Sequence, residues 1–368
     1  MTTPKENSSG TGLNLNNQTT FTSKENSLQL LDQLYECIEV ELNSLNYSYQ
    51  KPSLLAKAIL ETSDYFIQQK GLTPWTKKDM TAAYIAHFLP MNILRWLKVF
   101  DRIEGLNFHD LKSFFDFGAG PQTFKIAHFI KYQNLDLIYD YFELNKSSSA
   151  YGEKIFTSLI NKYFNNEVSK TPKQSQQVQN ISDAVKKSDT LVLSYSLNEL
   201  KETPKEFWNF KNILILEPST QKLSRLLLEF KDLSQQYDFS PIAPCTHSEK
   251  CPLYFESKKD WCFDRTAIQI PKIANPLYKI LPFDTANLTF SYLWISKNKP
   301  ENKKDNFRVV GDWQKEKGKV KSMICRSSQR EFLSLLNRDD NGPFNLKRGD
   351  ISTLDFPFEM KGNEIRRK

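Results

Sequence analysis

The segment Phe-Phe-Asp-Phe-Gly-Ala-Gly-Pro-Gln-Thr-Phe, residues 114–124, decides the fold of this chain. An aromatic run ends at Asp116, and Gly118 and Gly120 follow just before residues that can form a helix. Glycines at such a turn let the backbone approach a ligand, and the first turn of a helix offers unpaired N–H groups to it. The segment therefore predicts a first strand, a glycine turn and a helix N-terminus.

The spacing of the glycines separates two classes of nucleotide site. The dinucleotide-binding pattern needs a third glycine at position 123, where Thr123 stands. An acidic residue shortly before the first glycine, as at Asp116, is similar instead to the first motif of class I S-adenosylmethionine methyltransferases. Those enzymes often carry a third glycine where this chain has Gln122, so the chain departs from their pattern at that position.

Downstream of the glycine turn, short apolar strands alternate with helices. The third strand, expected near residues 167–180, has only a weak pattern because that stretch is polar. Alternation of this kind favours a parallel sheet covered by helices, with ligands bound beyond the carboxyl ends of the strands. The other strands are predicted at 135–142, 190–196, 212–216 and 288–295, and helices at 147–164 and 224–233.

Polar residues at the ends of these strands are candidate cofactor ligands. Glu143 ends the second strand, where a carboxylate can accept hydrogen bonds from ribose hydroxyls, although such a carboxylate is as often a helix cap. Residues 194–199 end a later strand and are expected to face a target nucleotide. No catalytic residue is assigned. The predicted cofactor-binding residues are Asp116, Gly118, Gly120, Glu143, Ser194, Asn198 and Glu199.

Composition limits the class of protein. The chain has 368 residues, 39% hydrophobic and 25% charged, which predicts a soluble protein of two or more domains. No apolar run reaches the roughly 18 residues of a membrane span. The formal charge of +7 permits an acidic partner such as RNA without requiring one. The first residues have no secretory or transit pattern, so we expect a cytoplasmic protein, and a monomer is the simplest state.

Composition also divides the chain into four segments. Residues 1–24 are polar and are predicted to be a disordered tail. Residues 25–108 repeat apolar side chains at helical spacing, and we interpret them as a helical domain that packs on the next one. Residues 109–300 form the predicted methyltransferase-like domain, and residues 301–368 a basic C-terminal segment.

Three of the five cysteines, Cys245, Cys251 and Cys262, fall within 18 residues, and Cys325 could return to them as a fourth. Their long, irregular gaps are unlike the paired spacing of a zinc ribbon, whereas four thiolates from separate loops suit a [4Fe–4S] cluster. His247 is the rival fourth ligand for a zinc site. Unrelated thiols are the remaining alternative. An odd number of cysteines in a long chain argues against a disulfide framework.

The most basic stretch runs from Lys297 to Arg326, with ten Lys or Arg against four acids. Phe307 and Trp313 are interleaved with these charges. Such a surface attracts phosphates, and its aromatic rings can stack on bases. A solvated lysine face is the equally compatible alternative.

Together these motifs resemble the methyltransferase-like proteins of the small ribosomal subunit, a family of mitochondrial assembly factors and their bacterial relatives. We identify the chain as a bacterial member. The cysteine segment with its flanking prolines is the most specific part of the resemblance. The matching segments are residues 83–90, 116–121, 194–200, 217–220, 243–247, 251–253, 260–262, 291–293 and 347–350.

The resemblance implies a class I methyltransferase (Rossmann-like) α/β sheet with an N-terminal helical domain and a cysteine-rich insertion at 243–265. It also implies a [4Fe–4S] cluster on Cys245, Cys251, Cys262 and Cys325, and small-subunit rRNA as partner. The chain has Phe263 where relatives often have histidine, and it lacks the Asn-Pro-Pro-Tyr motif of amino-methylating enzymes.

Three hypotheses of function follow. The first is an rRNA-binding assembly or translation factor built on the methyltransferase fold. The second is an active S-adenosylmethionine-dependent rRNA methyltransferase. The third is a small-molecule methyltransferase with a structural zinc ion.

Overall fold

The computed structural model describes residues 23–68, 75–164, 175–284, 286–298, 306–336 and 346–368. The predicted disordered tail lies almost entirely outside the described residues. None of the described helices is long and apolar enough to cross a membrane. The helices are α1 (Ser23–Ser44), α2 (Pro52–Ile67), α3 (Lys78–Ala83), α4 (Leu89–Ile103), α5 (Thr123–Tyr132), α6 (Lys146–Tyr163), α7 (Ile181–Lys187), α8 (Gln221–Ser234), α9 (Pro252–Phe255) and α10 (Asn275–Tyr278).

The first sheet has the order β3-β2-β1-β4-β5-β8-β6, and β7 pairs with β8. Neighbours among β1 to β5 are parallel, whereas β8 runs antiparallel to both β5 and β6. This order is that of class I methyltransferases, so the predicted fold is confirmed. The strands are β1 (Ser113–Phe117), β2 (Ile138–Phe142), β3 (Gln176–Gln177), β4 (Thr190–Ser194), β5 (Asn212–Glu217), β6 (Ser240–Ala243), β7 (Asp264–Ala267) and β8 (Asn287–Ser296).

The central strands form where the sequence is apolar without interruption. Every residue of β4 and β5 is buried, because helices cover both faces of the sheet. By contrast, β3 is a polar pair of glutamines at the edge, and both are exposed. This explains why the third strand has so weak a sequence pattern.

The helical region contains one wide turn, the π-helical segment Tyr84–Phe88, which joins α3 directly to α4. The sequence predicts a break near Pro90 in this place. Proline has no N–H for the carbonyl four residues earlier, and the π turn accommodates that loss without ending the helix. The buried Tyr49 hydroxyl donates to that carbonyl, Ala86 O, at 2.8 Å.

A second sheet, with the order β13-β9-β11-β12-β15-β14 and β10 paired to β11, follows the first. Residues 301–368 were predicted only as a basic C-terminal segment, so these strands were not predicted from the sequence. Its core contains Phe307, Val309, Ile324, Leu333, Leu354 and Ile365. The strands are β9 (Asn306–Val309), β10 (Gln314–Glu316), β11 (Lys319–Cys325), β12 (Glu331–Leu336), β13 (Ile351–Thr353), β14 (Phe358–Lys361) and β15 (Glu364–Arg367).

The bond from Tyr49 to the π turn gives the first prediction. Tyr49→Phe leaves the buried carbonyl of Ala86 without this donor, so we expect the free energy of unfolding to fall by about 1–1.5 kcal/mol. Urea unfolding measures it. Tyr237→Phe is the matched control, because Tyr237 is 40% exposed and should change stability by less than about 0.5 kcal/mol. Equal effects of the two substitutions would contradict this account of the π turn.

Candidate functional site

The two glycines of the turn after β1 serve different purposes. Gly118 has φ +70°, and a Cβ atom there would lie 2.8 Å from Cβ of Ser196, so packing against the end of β4 requires glycine. Gly120 has φ +53°, and a Cβ atom there would meet nothing within 4 Å. The backbone at Gly120 therefore borders open space beyond the carboxyl ends of the strands.

Gln122, in the place of the third glycine, adopts φ +58° and is fully buried. A left-handed conformation costs a residue with a Cβ atom roughly 1–2 kcal/mol. The Gln122 side chain accepts a bond from Lys125 Nζ at 3.1 Å, and Lys125 also pairs with Glu153 at 2.9 Å. Buried contacts therefore hold a strained residue at the start of α5.

Glu143 and the glycine turn are in direct contact. One carboxylate oxygen of Glu143 accepts from the Gly120 N–H at 2.8 Å, and the other accepts from the Asn145 N–H at 2.7 Å. Each oxygen keeps a second lone pair. Glu143, the residue predicted to bind ribose hydroxyls, therefore lies at the open side of the turn, where backbone N–H groups fix its carboxylate.

Asp116 is turned into the protein. It is fully buried, one oxygen accepts from the Tyr139 hydroxyl at 2.6 Å, and the other has no partner among the described residues. Burial raises the pKa of Asp116 to about 7, opposed by the Tyr139 bond and reinforced by the charge of Glu143. Its direct contacts are therefore with β2 rather than with the open space.

The candidates after β4 divide in the same way. Ser194 is buried and bonds to Trp96 Nε1 at 2.9 Å and to Thr123 at 3.2 Å. Asn198 donates to the buried carboxylate of Glu217 at 2.7 Å. Both are occupied in holding elements together.

Glu199 lies near the other carboxylate of the open edge. Burial raises its pKa first, and the charge of Glu143 raises it further. Of the seven predicted residues, Gly120, Glu143 and Glu199 therefore border the open edge most directly.

The helical region, predicted to serve packing alone, also reaches the strand ends. Burial is the main cause that raises the pKa of Tyr84 in the π turn, and the charges of Glu199, Tyr195 and Glu143 add to it. Tyr84 therefore lies within electrostatic range of those groups. Its segment belongs to residues 83–90, the first segment of the family resemblance, so the sequence held a clue to this role.

The four predicted cysteine ligands converge from separate parts of the chain. Cys251 and Cys325 are buried in one small cluster, and Cys262 packs against it. Burial raises the pKa of Cys251 to about 12, and the nearness of Cys245 and Cys262 adds to the rise. The fifth cysteine, Cys37, is buried in α1, outside this group.

Basic side chains surround these sulfur atoms. Arg308, which is 2% exposed, donates from a terminal nitrogen to Cys262 Sγ at 2.7 Å. His247 Nε2 lies 3.3 Å from Cys325 Sγ. Lys231 is 1% exposed, and its charge lowers the pKa of Cys245, opposing the larger effect of burial. Cations next to sulfur favour the thiolate, which is the form that binds metal ions.

Among the described residues, no group of three or more His, Cys, Asp or Glu side chains is arranged so that it could hold a metal ion. Proximity and a basic surrounding are therefore what the structure gives to Cys245, Cys251, Cys262 and Cys325.

An ion-pair chain extends from this cluster into the helical region. The buried Asp264 accepts from both Arg308 and Arg102, and Arg102 also binds Asp350 at 2.6 Å. Gly349 packs directly against Asp264. Its φ is +94°, and a Cβ atom there would lie 2.6 Å from the Asp264 carboxylate. These ion pairs join α4, β7, β9 and the turn before β13.

The sequence matches the family model described as mitochondrial small ribosomal subunit Rsm22 over residues 80–344. The chain belongs to this family. The Rsm22 match includes the π turn, the glycine turn and the four clustered cysteines, and it begins within α3. Among curated proteins, no sequence matches the chain.

Solved structures similar to this Rsm22 family member are methyltransferases. The 16S rRNA methylase ArmA is 14% identical, with a TM-score of 0.33 over 65% of this chain and 97% of that chain. A putative RNA methyltransferase from Pyrococcus horikoshii is 12% identical, with a TM-score of 0.28 over 54% and 80%. The plantazolicin methyltransferase BpumL is 12% identical, with a TM-score of 0.30 over 68% and 99%. The fold assignment rests on the strand order of the chain itself.

The buried carboxyl of Asp116 gives the second prediction. Its pKa of about 7 exceeds the ordinary value of about 3.9, so folding prefers the protonated acid. This contribution to stability is complete below pH about 4 and is lost as the pH rises toward 7. The free energy of unfolding of the wild type, relative to Asp116→Asn, should therefore fall over that range, on the order of 3 kcal/mol.

Urea unfolding between pH 4 and 8 measures this difference. Asp355→Asn is the control, because Asp355 is exposed and its removal should leave the pH profile of the wild type unchanged. Parallel profiles for the wild type and Asp116→Asn would show that the Asp116 carboxyl does not titrate as described.

Proposed function

We propose that this protein is an rRNA-binding assembly or translation factor of the small ribosomal subunit, with a methyltransferase-like fold and a [4Fe–4S] cluster. The observation that carries the proposal is the convergence of four cysteines, three from one segment and one from β11, in a member of the Rsm22 family. Membership of a family named for the small ribosomal subunit supports the choice of partner.

The spacing of the cysteines along the chain favours a cluster over a single zinc ion. Structural zinc sites usually take paired cysteines two to four residues apart, whereas the gaps between Cys245, Cys251, Cys262 and Cys325 are longer and irregular. A cluster of four iron atoms takes one thiolate on each iron, and thiolates from separate loops suit it.

Cys245, Cys251, Cys262 and Cys325 would hold the cluster. Bound there, it would supply a rigid link between the cysteine segment and the second sheet. Arg308 would orient Cys262, and His247 would orient Cys325, by the hydrogen bonds already present. Such outer contacts fix the direction of a ligand and tune its basicity.

A second candidate function is S-adenosylmethionine-dependent methylation of rRNA. The open space at Gly120, beside the carboxylate of Glu143, favours it, because a nucleoside could approach the backbone there. Calorimetry with S-adenosylmethionine tests this candidate. Micromolar binding would support it, and no heat at millimolar ligand would remove it.

A cytoplasmic monomer remains our proposal from composition, which cell fractionation and native mass spectrometry test.

The third prediction concerns the dependence of RNA binding on the metal centre. Tagged wild-type protein purified from cells without oxygen should carry iron and recover small-subunit rRNA. Cys251→Ser removes one of the four thiols, and we expect it to lose the iron and at least about ten-fold of the recovered rRNA, since metal binding is coupled to folding. Quantitative RNA and iron analysis of the same samples measures both.

Cys37→Ser is the matched control, because it removes a buried thiol outside the cluster. It should keep both iron and rRNA. Recovery of no small-subunit rRNA by the wild type would refute the proposed function. Loss of iron from Cys251→Ser with unchanged rRNA recovery would separate the cluster from RNA binding.

A further inference from the structure

The positive charge of the chain is concentrated on the second sheet. Residues 314–336 and 358–368 hold ten Lys or Arg against four Glu, a formal charge of +6 out of +7 for the whole chain. The first sheet and the helical region together are therefore almost neutral. The candidate surface for binding a polyanion therefore lies on the strands β10, β11, β12, β14 and β15.

Strand pairing gathers most of these cations at one end of the sheet. Lys321 of β11 lies opposite Ser334 of β12, and Ser334 lies opposite Arg366 of β15. Since neighbouring strands are about 4.8 Å apart, Lys321 and Arg366 stand about 10 Å from each other. The β10–β11 turn and the end of β15 lie at this same end. We call this set the basic end: Lys315, Lys317, Lys319, Lys321, Arg366, Arg367 and Lys368.

Two glutamates bind the central cations of the basic end together without neutralising it. Glu364 pairs with Lys319 and Arg366, and Glu316 pairs with Lys319 and Lys321. The Lys319 and Arg366 bonds lower the pKa of Glu364 to about 2, as a strongly positive surrounding requires. Glu359 of β14 also lies opposite Arg366, so seven cations against three carboxylates leave an excess of four charges.

The outer cations of the basic end lie at the surface, where Arg367 also stacks over the ring of Phe356. Within the described part of the chain, no acidic side chain forms an ion pair with Lys315, Lys317, Arg367 or Lys368. Lys315 and Lys317 are also exposed, beside the turn at Gly318. Lys and Arg side chains that neutralise phosphates release the counterions condensed on the nucleic acid, which drives association.

The basic end is separate from the cysteine cluster. Lys319 and Cys325 lie at opposite ends of β11, six residues and therefore about 20 Å apart. The basic stretch seen in the sequence runs up to Cys325, but the strand carries its lysines away from the sulfur atoms.

We propose that the basic end of the second sheet is the surface that binds the phosphate backbone of RNA, independently of base sequence. The inference rests on the proposed rRNA-binding function and assigns that binding to one surface. Lys315 and Arg367 would hold the RNA strand from one face of this end, and Lys321, Arg366 and Lys368 from the other, because side chains alternate between the faces of a sheet. Lys317 lies at the β10–β11 turn between the two faces.

The test is the affinity of the full chain for a fluorescent single-stranded oligouridylate of about 20 nucleotides, titrated at several salt concentrations. The double variant Lys315→Glu with Lys317→Glu should bind at least about ten-fold more weakly near 0.1 M salt. It should also reduce the slope of log affinity against log salt by about 1.4, the value for two lost phosphate contacts. Arg367→Glu with Lys368→Glu, at the end of β15, should do the same.

Lys57→Glu with Lys186→Glu is the matched control. It changes the net charge equally, but the two lysines lie on α2 and α7 with side chains 74% and 75% exposed. Circular dichroism checks that each variant is folded. Tight wild-type binding with unchanged affinity in both basic-end variants would overturn the assigned surface and leave the proposed function standing. Failure of the wild type to bind this probe or small-subunit rRNA would overturn both.

Discussion

The buried carboxylate of Asp264 is the constraint on which the arrangement of the protein depends. An isolated carboxylate in the interior would be strongly unfavourable, so both of its arginine partners must stay in place. Arg102 comes from α4 and Arg308 from β9, and the second donates onward to the sulfur of Cys262. One fixed charge thus sets where the helical region, the cysteine segment and the second sheet meet.

Three functional parts are arranged around this junction. The strand-end edge near Gly120 and Glu143 has the geometry of a methyltransferase site, modified by the strained Gln122. The four cysteines lie where the two sheets meet, so a cluster bound there would stabilise that junction. The basic end of the second sheet lies about 20 Å farther along β11. In the proposed function, the basic end binds RNA and a cluster on the four cysteines would stabilise the platform that carries it.

The sequence was informative wherever one local pattern fixes a structure. Uninterrupted apolar runs identified β4 and β5, and the crowding of three cysteines identified their cluster. The second sheet was not predicted because residues 314–322 are polar or charged apart from Gly318 and Val320, a composition that also describes a solvated segment. Contacts between residues that are distant in the sequence could not be predicted either. Arg308 donates to Cys262 across 46 residues, and only the fold brings Tyr84 near Glu199.

The most direct test is to measure how much iron, zinc and acid-labile sulfide the wild-type protein contains when it is purified without oxygen. If the four cysteines hold a [4Fe–4S] cluster, iron and sulfide should be present in equal amounts, about four of each per chain. About one zinc ion per chain without sulfide would contradict the cluster and leave a structural zinc site in its place. Neither metal in the anaerobic protein would contradict a metal centre altogether.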